Sequence, residues 1–203
     1  MINNNWIYLG AALNLIGSVT YSWNTIKGRT KPNRVTWLLW ALAPLIAFAA
    51  MVKEGVAPLD GLMTFMVGFG PLIVFISSFV NRKSVWKITK FDMICGGLSV
   101  LGIIAWAFTR IGTIAIIFSI MADGLALLPT LKKSWKEPET EEDVVFGLAA
   151  ISAAITMLAL DTYDFQHLGF PIYIFIGCAA LFLIIRFKLG IRWANKAREG
   201  SSI

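Results

Sequence analysis

Long apolar stretches, each about the length of a bilayer-spanning helix, follow one another along the 203-residue chain, with short polar segments between them. A helix that crosses a membrane needs about 20 mostly apolar residues. Backbone groups in lipid must be paired within the segment, and the period-two alternation that is typical of strands does not occur. The pattern predicts an all-α, polytopic membrane protein with seven spans, at Trp6–Ile26, Val35–Val52, Leu59–Val80, Phe91–Thr109, Thr113–Leu131, Val144–Leu160 and Phe170–Leu189.

The composition agrees with membrane insertion and excludes several classes of site. Hydrophobic residues make up 57% of the chain and charged residues 15%, whereas soluble domains have about 45–50% and about 25%. The two cysteines, Cys95 and Cys178, lie inside apolar stretches, and His167 is the only histidine. We therefore expect no metal site, no cofactor and no catalytic residues, and the chain is not predicted to be an enzyme.

The basic residues divide the connections into two groups. Of the 18 Lys and Arg residues, all except Lys53 and Arg110 lie in the first, third and fifth connections or at the C-terminal end. Cytoplasmic loops carry this excess, so we expect an outside N-terminus, a cytoplasmic C-terminus and a location in the plasma (inner) membrane. Lipid is then the partner of these charges, and nucleic acid is not.

The fifth connection is also rich in acidic residues. We expect its acidic residues, including Glu141, to form a solvated helix start; a regulatory acidic patch is the alternative. Thr140 and Asp143 have the spacing of a capping box that would begin the sixth helix.

An internal repeat is visible in the first and fifth spans. Asn14 and Asp123 lie near the middle of these spans, which end in similar phrases, Thr25-Ile26-Lys27 and Thr130-Leu131-Lys132. The expected organisation is a three-helix repeat over residues 1–90, a linker helix over 91–110, and a second repeat with a short cytoplasmic tail over 111–203. Because a single span separates the repeats, they have the same orientation in the membrane.

This parallel three-one-three arrangement resembles the SWEET and PQ-loop superfamily of small transporters. The segment from Asp123 to Pro138, which includes Pro129, is similar to the proline-containing end of the first helix of such a repeat. Thr130 stands where that superfamily usually has glutamine, so the PQ motif itself is absent. The resemblance implies the fold and a transport function, and it does not name a solute.

Polar side chains within the spans are the candidates for a solute-binding site. A carboxyl at the centre of a span costs about 2.5–3.5 kcal/mol on insertion scales, so Asp123 is the strongest candidate. Asn14 and Ser18 share one face of the first helix, and Ser119 lies one turn before Asp123. Trp40 is a candidate for stacking on a solute or closing a gate. Interhelical hydrogen bonding is the alternative for each polar group.

Four residues are candidates for helix kinks or gates. Proline removes an amide donor from a helix and bends it, and glycine weakens a helix. In transporters such breaks supply gates and expose carbonyl groups. The four residues are Pro44, Gly68, Pro71 and Pro129.

Two functions remain open at this point. The first is a transporter that moves a small polar solute by alternating access between the repeats, with Asp123 offering a site for proton coupling. The second is a non-transporting membrane receptor or a sorting and assembly protein on the same scaffold. The identity of the solute and the oligomeric state are left open by the sequence.

Overall fold

Eight α-helices make up most of the computed structural model, which describes residues 6–53, 55, 62–108, 112–160 and 162–200. Within these ranges there is no strand, which confirms the all-α prediction. Two 3-10 turns, Arg82–Ser84 and Pro138–Thr140, lie in the connections. The helices are α1 (Trp6–Ile26), α2 (Arg34–Lys53), α3 (Leu62–Ser77), α4 (Lys90–Phe108), α5 (Gly112–Lys136), α6 (Asp143–Ala159), α7 (Phe165–Phe187) and α8 (Leu189–Gly200).

The helices differ in how well they match a membrane span. Across the described residues, one segment, His167–Phe187, is both long and apolar enough to cross a bilayer by length and composition. Arg34–Ala49, Thr64–Ser77 and Asp143–Ala159 are shorter apolar helices. Each of the seven apolar stretches is thus largely helical, as predicted.

The ends of two helices differ from the expectation. The prediction of a capping box at Thr140 and Asp143 was wrong, because Thr140 is part of a 3-10 turn and its hydroxyl donates to the Glu137 carbonyl at 2.8 Å. Glu142 is the N-cap of α6 and makes no side-chain capping bond. At the C-terminal end, Lys188 takes a left-handed conformation with φ 49° and separates α7 from α8, a helix that the pattern did not predict.

The helices pack in the same way within the first three and within α5–α7. Helix α3 contacts both α1 and α2, and α7 contacts both α5 and α6. Between the two triplets, α1 packs along α6, and α2 contacts α5. Since α1 corresponds to α5 and α2 corresponds to α6 in the repeat, equivalent pairs of helices form these two contacts. Helix α4 packs on α5 and α2. Helices of both triplets therefore surround a common interior. Arg110, in the connection after α4, lies outside the described residues.

The first, third and fifth connections meet at one end of the helix bundle, which we call the basic end. The Lys31 amide donates to the Thr140 carbonyl at 2.8 Å, which joins the first connection to the fifth. Asn81, in the third connection, donates from its side chain to the Ile26 carbonyl at 2.8 Å. Helix α8 also packs on α5 at this end. Most of the basic residues therefore lie at one end of the molecule.

An apolar cluster fills the interior next to the basic end. The Trp37 ring lies 4.8 Å from the Tyr21 ring and 6.2 Å from the Phe146 ring, measured between centroids. Away from this cluster, large apolar side chains face outward, and Ile94, Leu101 and Ile176 are each 61% exposed. The cluster consists of Tyr21, Trp37, Val74, Leu127, Val145, Phe146, Leu181 and Ile185.

Candidate functional site

A cavity of about 460 Å³ lies between the helices and has residues of α1 to α7 on its wall. Most of its lining is apolar, with polar groups at a few points. A volume of about 300–1,000 Å³ is typical of small-molecule sites. A second cavity of about 100 Å³ has several residues in common with the first. The polar residues that line the larger cavity are Asn14, Trp40, Thr64, Ser99, Ser119, Asp123, Ser152 and Thr156.

The structure brings the predicted solute-binding residues to these cavities. Asn14, Trp40 and Asp123 line both cavities, Ser119 lines the larger one, and Ser18 lines the smaller one. The first and fifth helices, which the repeat related to each other, thus contribute an amide and a carboxyl to one wall.

The predicted kink residues are divided between the cavities and the packing around them. Pro44 lines both cavities and Pro71 the smaller one, whereas Gly68 and Pro129 line neither. Helices α2, α3 and α5 continue through their prolines as helix. Gly68 allows α3 to approach α2 closely, since a Cβ there would lie 2.8 Å from Leu45 Cγ.

Gly70 brings the backbone of α3 directly behind two of the predicted site residues. A Cβ at this position would clash with Ser18 Oγ and would lie 3.0 Å from Asn14 Oδ1. The missing side chain therefore allows α1 to keep Asn14 and Ser18 in place where α3 crosses it.

Tyr173 is a site residue that the sequence reasoning missed. Its hydroxyl, on α7, donates a hydrogen bond of 2.7 Å to Asp123 Oδ2, on α5. Tyr173 also lines the smaller cavity. A buried tyrosine hydroxyl usually has a hydrogen-bond partner, so a tyrosine within an apolar span was the available signal.

Trp40 places a buried polar atom close to the Asp123 carboxylate. Its indole nitrogen is buried and makes no hydrogen bond in the described part of the chain. The ring itself is well supported, because it packs edge-on against Trp37 at 5.3 Å and against Phe146 at 6.3 Å between centroids. An unsatisfied donor on a rigid ring at a cavity wall is suited to a solute that carries an acceptor.

A buried ionic cluster joins the two triplets at the basic end. Lys133 and Glu141 form an ion pair of 2.6 Å, and both side chains are 0% exposed. The other carboxylate oxygen of Glu141 accepts a hydrogen bond from Tyr21, and Lys133 also donates to the Lys31 carbonyl. Tyr21 and Lys31 belong to the first triplet, whereas Lys133 and Glu141 belong to the second. We define the ionic cluster as these four residues.

Burial of the ionic cluster corrects the expectation of a solvated helix start for Glu141, whereas Glu137 and Glu139 are exposed as expected. The 3-10 turn Pro138–Thr140 folds this connection back over the end of α5, which brings Glu141 to Lys133. Burial lowers the pKa of Lys133, and the adjacent Glu141 opposes that change. A pair of this kind depends on both partners, because either charge alone would be buried without compensation.

Glu142, the next residue, lies partly buried at the start of α6. Burial, and then the charge of Asp143, raise the pKa of Glu142 to about 7. One of its carboxylate oxygens is buried without a hydrogen-bond partner in the described residues. This carboxyl therefore titrates in the neutral range.

Comparison with protein-family models, with curated proteins and with solved structures returns no match for this chain. The described residues contain no group of three or more His, Cys, Asp or Glu side chains that could hold a metal ion. The geometry of the cavities, the charge on their walls and the ionic cluster at the basic end are the features of this chain that bear on its function.

Proposed function

We propose that the chain is a membrane protein in which α1 to α7 span the bilayer as two parallel three-helix repeats joined by α4. We further propose that it transports a small polar solute by alternating access, in the manner of the SWEET and PQ-loop transporters that it resembles. The observation that carries the proposal is the larger cavity, which has residues of both triplets, among them Asn14 and Asp123, on its wall.

The surface of the molecule supports a location in the membrane. Large apolar side chains such as Ile94, Leu101 and Ile176 are exposed on several helices. Extended apolar surface is rare on soluble monomers and marks contact with lipid or with another protein. Most of the basic residues lie at one end, as in membrane proteins whose cytoplasmic loops contact an anionic leaflet.

The position of the cavity supports access from one side. Its lining residues extend from the middle of the helices to the ends away from the basic end, for example to Thr64 near the start of α3 and Thr156 near the end of α6. Leu39 and Trp40 are the lining residues of α2 that lie towards the basic end. Between the cavity and the basic end lie the apolar cluster and then the ionic cluster. This arrangement corresponds to a transporter closed on the cytoplasmic side.

Opening the cytoplasmic side requires the two triplets to separate at the basic end. Tyr21 and Lys31 would then move away from Lys133 and Glu141, so the ionic cluster acts as the contact that is broken during the transport cycle. The ion pair itself lies within the second triplet and would be exposed to water by this motion. Asp123 offers a place for a proton to accompany the solute.

Counterflow of solutes into liposomes tests transport directly. Purified protein is reconstituted in vesicles loaded with each unlabelled member of a panel of sugars, amines and amino acids, and entry of the same labelled solute is measured. We expect at least one solute to accumulate in vesicles that contain the protein. Ala149 lines both cavities, so Ala149→Trp places a large ring in the space between the helices and should abolish that accumulation.

A tryptophan on the outer surface of the same helix is the matched control. Ile151 is 51% exposed, so Ile151→Trp should leave counterflow unchanged. A solute that stabilises the protein against heat but shows no counterflow would contradict transport and support the receptor alternative. If transport is proton-coupled, Asp123→Asn removes the stimulation of uptake by a pH gradient.

A further inference from the structure

The charge of the cavity walls distinguishes between classes of polar solute. Asp123 is the one charged side chain that lines either cavity, and no Lys, Arg or His lines them in the part of the chain that the structure describes. An ionised carboxylate away from water needs an opposite charge or several hydrogen bonds. The wall supplies a hydrogen bond from Tyr173 and the neighbouring indole N–H of Trp40, but it supplies no positive charge. The solute is in a position to supply that charge.

The apolar part of the wall is unsuited to a bare divalent cation such as Ca²⁺ or Mg²⁺. Ca²⁺ needs about six to eight oxygen ligands and Mg²⁺ keeps several waters, whereas most of the residues that line the larger cavity with Asp123 are apolar, including Val67, Ile103 and Ile174. Trp40 and Phe170 place aromatic rings on the walls of both cavities. Aromatic faces attract organic ammonium groups by about 0.5–2 kcal/mol.

The same walls disfavour a solute that carries its own carboxylate. A second negative charge would lie near Asp123 with no basic side chain to receive it. The Asn14 amide and the Trp40 indole N–H are suited instead to an uncharged hydroxyl or ether oxygen. The lining thus accommodates one positive charge, an apolar body and a neutral acceptor.

We propose that the transported solute is a small organic cation without a carboxylate, whose ammonium group pairs with Asp123 and whose carbon skeleton packs between the apolar and aromatic walls. This inference rests on the proposed transport function. It adds the chemical class of the solute, and it makes Asp123 a specificity-determining residue for positive charge.

Binding of matched probes to the full-length purified protein tests the inference. Choline is compared with dimethylbutanol, its uncharged carbon isostere, and with glycine betaine, which adds a carboxylate. Phenethylamine and phenethyl alcohol form a second matched pair with a primary ammonium. We expect at least one ammonium probe to bind about tenfold or more tightly than its uncharged partner, which corresponds to about 1.4 kcal/mol. Glycine betaine should bind more weakly than choline.

Asp123→Asn keeps the shape of the side chain and removes its charge, so it should abolish the preference for ammonium. Asp143→Asn removes a carboxylate at the start of α6, beside Arg186, and should leave the preference intact. Equal binding of charged and uncharged partners, or no binding of either ammonium probe, overturns the inference. If Asp123→Asn does not fold, the comparison of probes on the wild-type protein still decides.

The two proposals fail in different ways. Counterflow of uncharged solutes, together with no binding of ammonium probes, would overturn the cation inference and leave transport standing. Ammonium binding that depends on Asp123, together with no counterflow of any solute, would overturn transport and leave the cation site standing.

Discussion

The hydrogen bond from Tyr173 holds the Asp123 carboxylate in position at the cavity wall. The bond of 2.7 Å orients the carboxylate and links α7 to α5. Tyr173 is thus a positioning residue for Asp123 as well as a member of the wall of the smaller cavity. The Trp40 ring is held in a comparable way by Trp37 and Phe146.

Tyr173→Phe should weaken solute binding while the protein remains folded. A hydrogen bond to a charged group contributes about 1.5–3 kcal/mol, and water in the cavity can replace part of it, so we expect a loss of affinity of about tenfold. Titration of the bound solute or of the ammonium probe measures the change. Tyr163→Phe, at an exposed tyrosine before α7, is the control. Unchanged affinity in Tyr173→Phe would remove this residue from the site.

Glu142 makes stability depend on pH in the neutral range. Its pKa in the folded protein is raised from 4.5 to about 7, so the folded state holds the proton more tightly than the unfolded state does. The contribution to the free energy of unfolding is fully present below 4.5 and is lost as the pH rises through about 7. Glu142→Gln should therefore raise the melting temperature at alkaline pH and flatten its pH dependence.

Thermal unfolding of the purified protein over a series of pH values measures this effect. Glu137→Gln, at an exposed position just before the Pro138–Thr140 turn, is the matched control and should retain the wild-type pH profile. An identical profile in Glu142→Gln would show that another group is responsible.

At the scale of the helices, close approach depends on where a Cβ is missing. Gly70 and Gly97 are both helical glycines, on α3 and α4, but their surroundings differ. A Cβ at Gly70 would overlap Ser18 on α1, whereas a Cβ at Gly97 has nothing within 4 Å. The same chemical change should therefore have opposite effects at the two positions.

Gly70→Ala should destabilise the protein by about 1–3 kcal/mol through overpacking and should disturb Asn14 and Ser18 on the cavity wall. Gly97→Ala should be neutral or stabilise by up to about 1 kcal/mol, since alanine favours the helix. Denaturation of the two variants in the same detergent gives the comparison. A Gly70→Ala variant as stable as wild type would contradict the close crossing of α1 and α3.

The ionic cluster holds the two triplets together at the basic end. Glu141→Gln leaves Lys133 charged and fully buried without its counter-ion, and breaking a buried pair costs about 3–5 kcal/mol. Thermal or denaturant unfolding should show this loss. Glu139→Gln, in the exposed pair with Lys188, is the matched control and should change stability little.

A double variant tests whether the loss arises from the uncompensated charge. Lys133→Met combined with Glu141→Leu removes both charges and should recover much of the stability lost in Glu141→Gln. If the double variant is no more stable than Glu141→Gln, the cluster contributes through hydrogen bonds to Tyr21 and the Lys31 carbonyl instead.

For the whole molecule, the basic end should face the cytoplasm. Cys95 and Cys178 are first replaced by serine, and Tyr163→Cys and Lys83→Cys are then introduced separately. Tyr163 lies between α6 and α7, whereas Lys83 lies in the third connection at the basic end. In intact cells an impermeant maleimide should label Tyr163→Cys, and it should label Lys83→Cys after the membrane is permeabilised. Labelling of both in intact cells would contradict the seven-span topology.

The helical class and the distribution of charge could be predicted from the sequence. Both follow from local properties, because the length of an apolar stretch predicts a helix and the positions of Lys and Arg are given by the chain itself. Polar residues within the spans, among them Asn14, Trp40 and Asp123, could also be identified from the sequence, because a polar side chain is unusual in an apolar stretch. Their role in binding remains a prediction.

The tertiary structure alone decided which of these groups meet and which charges are buried. Tyr173 reaches Asp123 from 50 positions along the chain, and Tyr21 reaches Glu141 from 120 positions. Such contacts arise from the packing of α7 on α5 and of α1 on α6, which no local pattern encodes. The capping box failed for the same reason, since the turn that captures Thr140 folds over the end of α5 to bury Lys133 with Glu141.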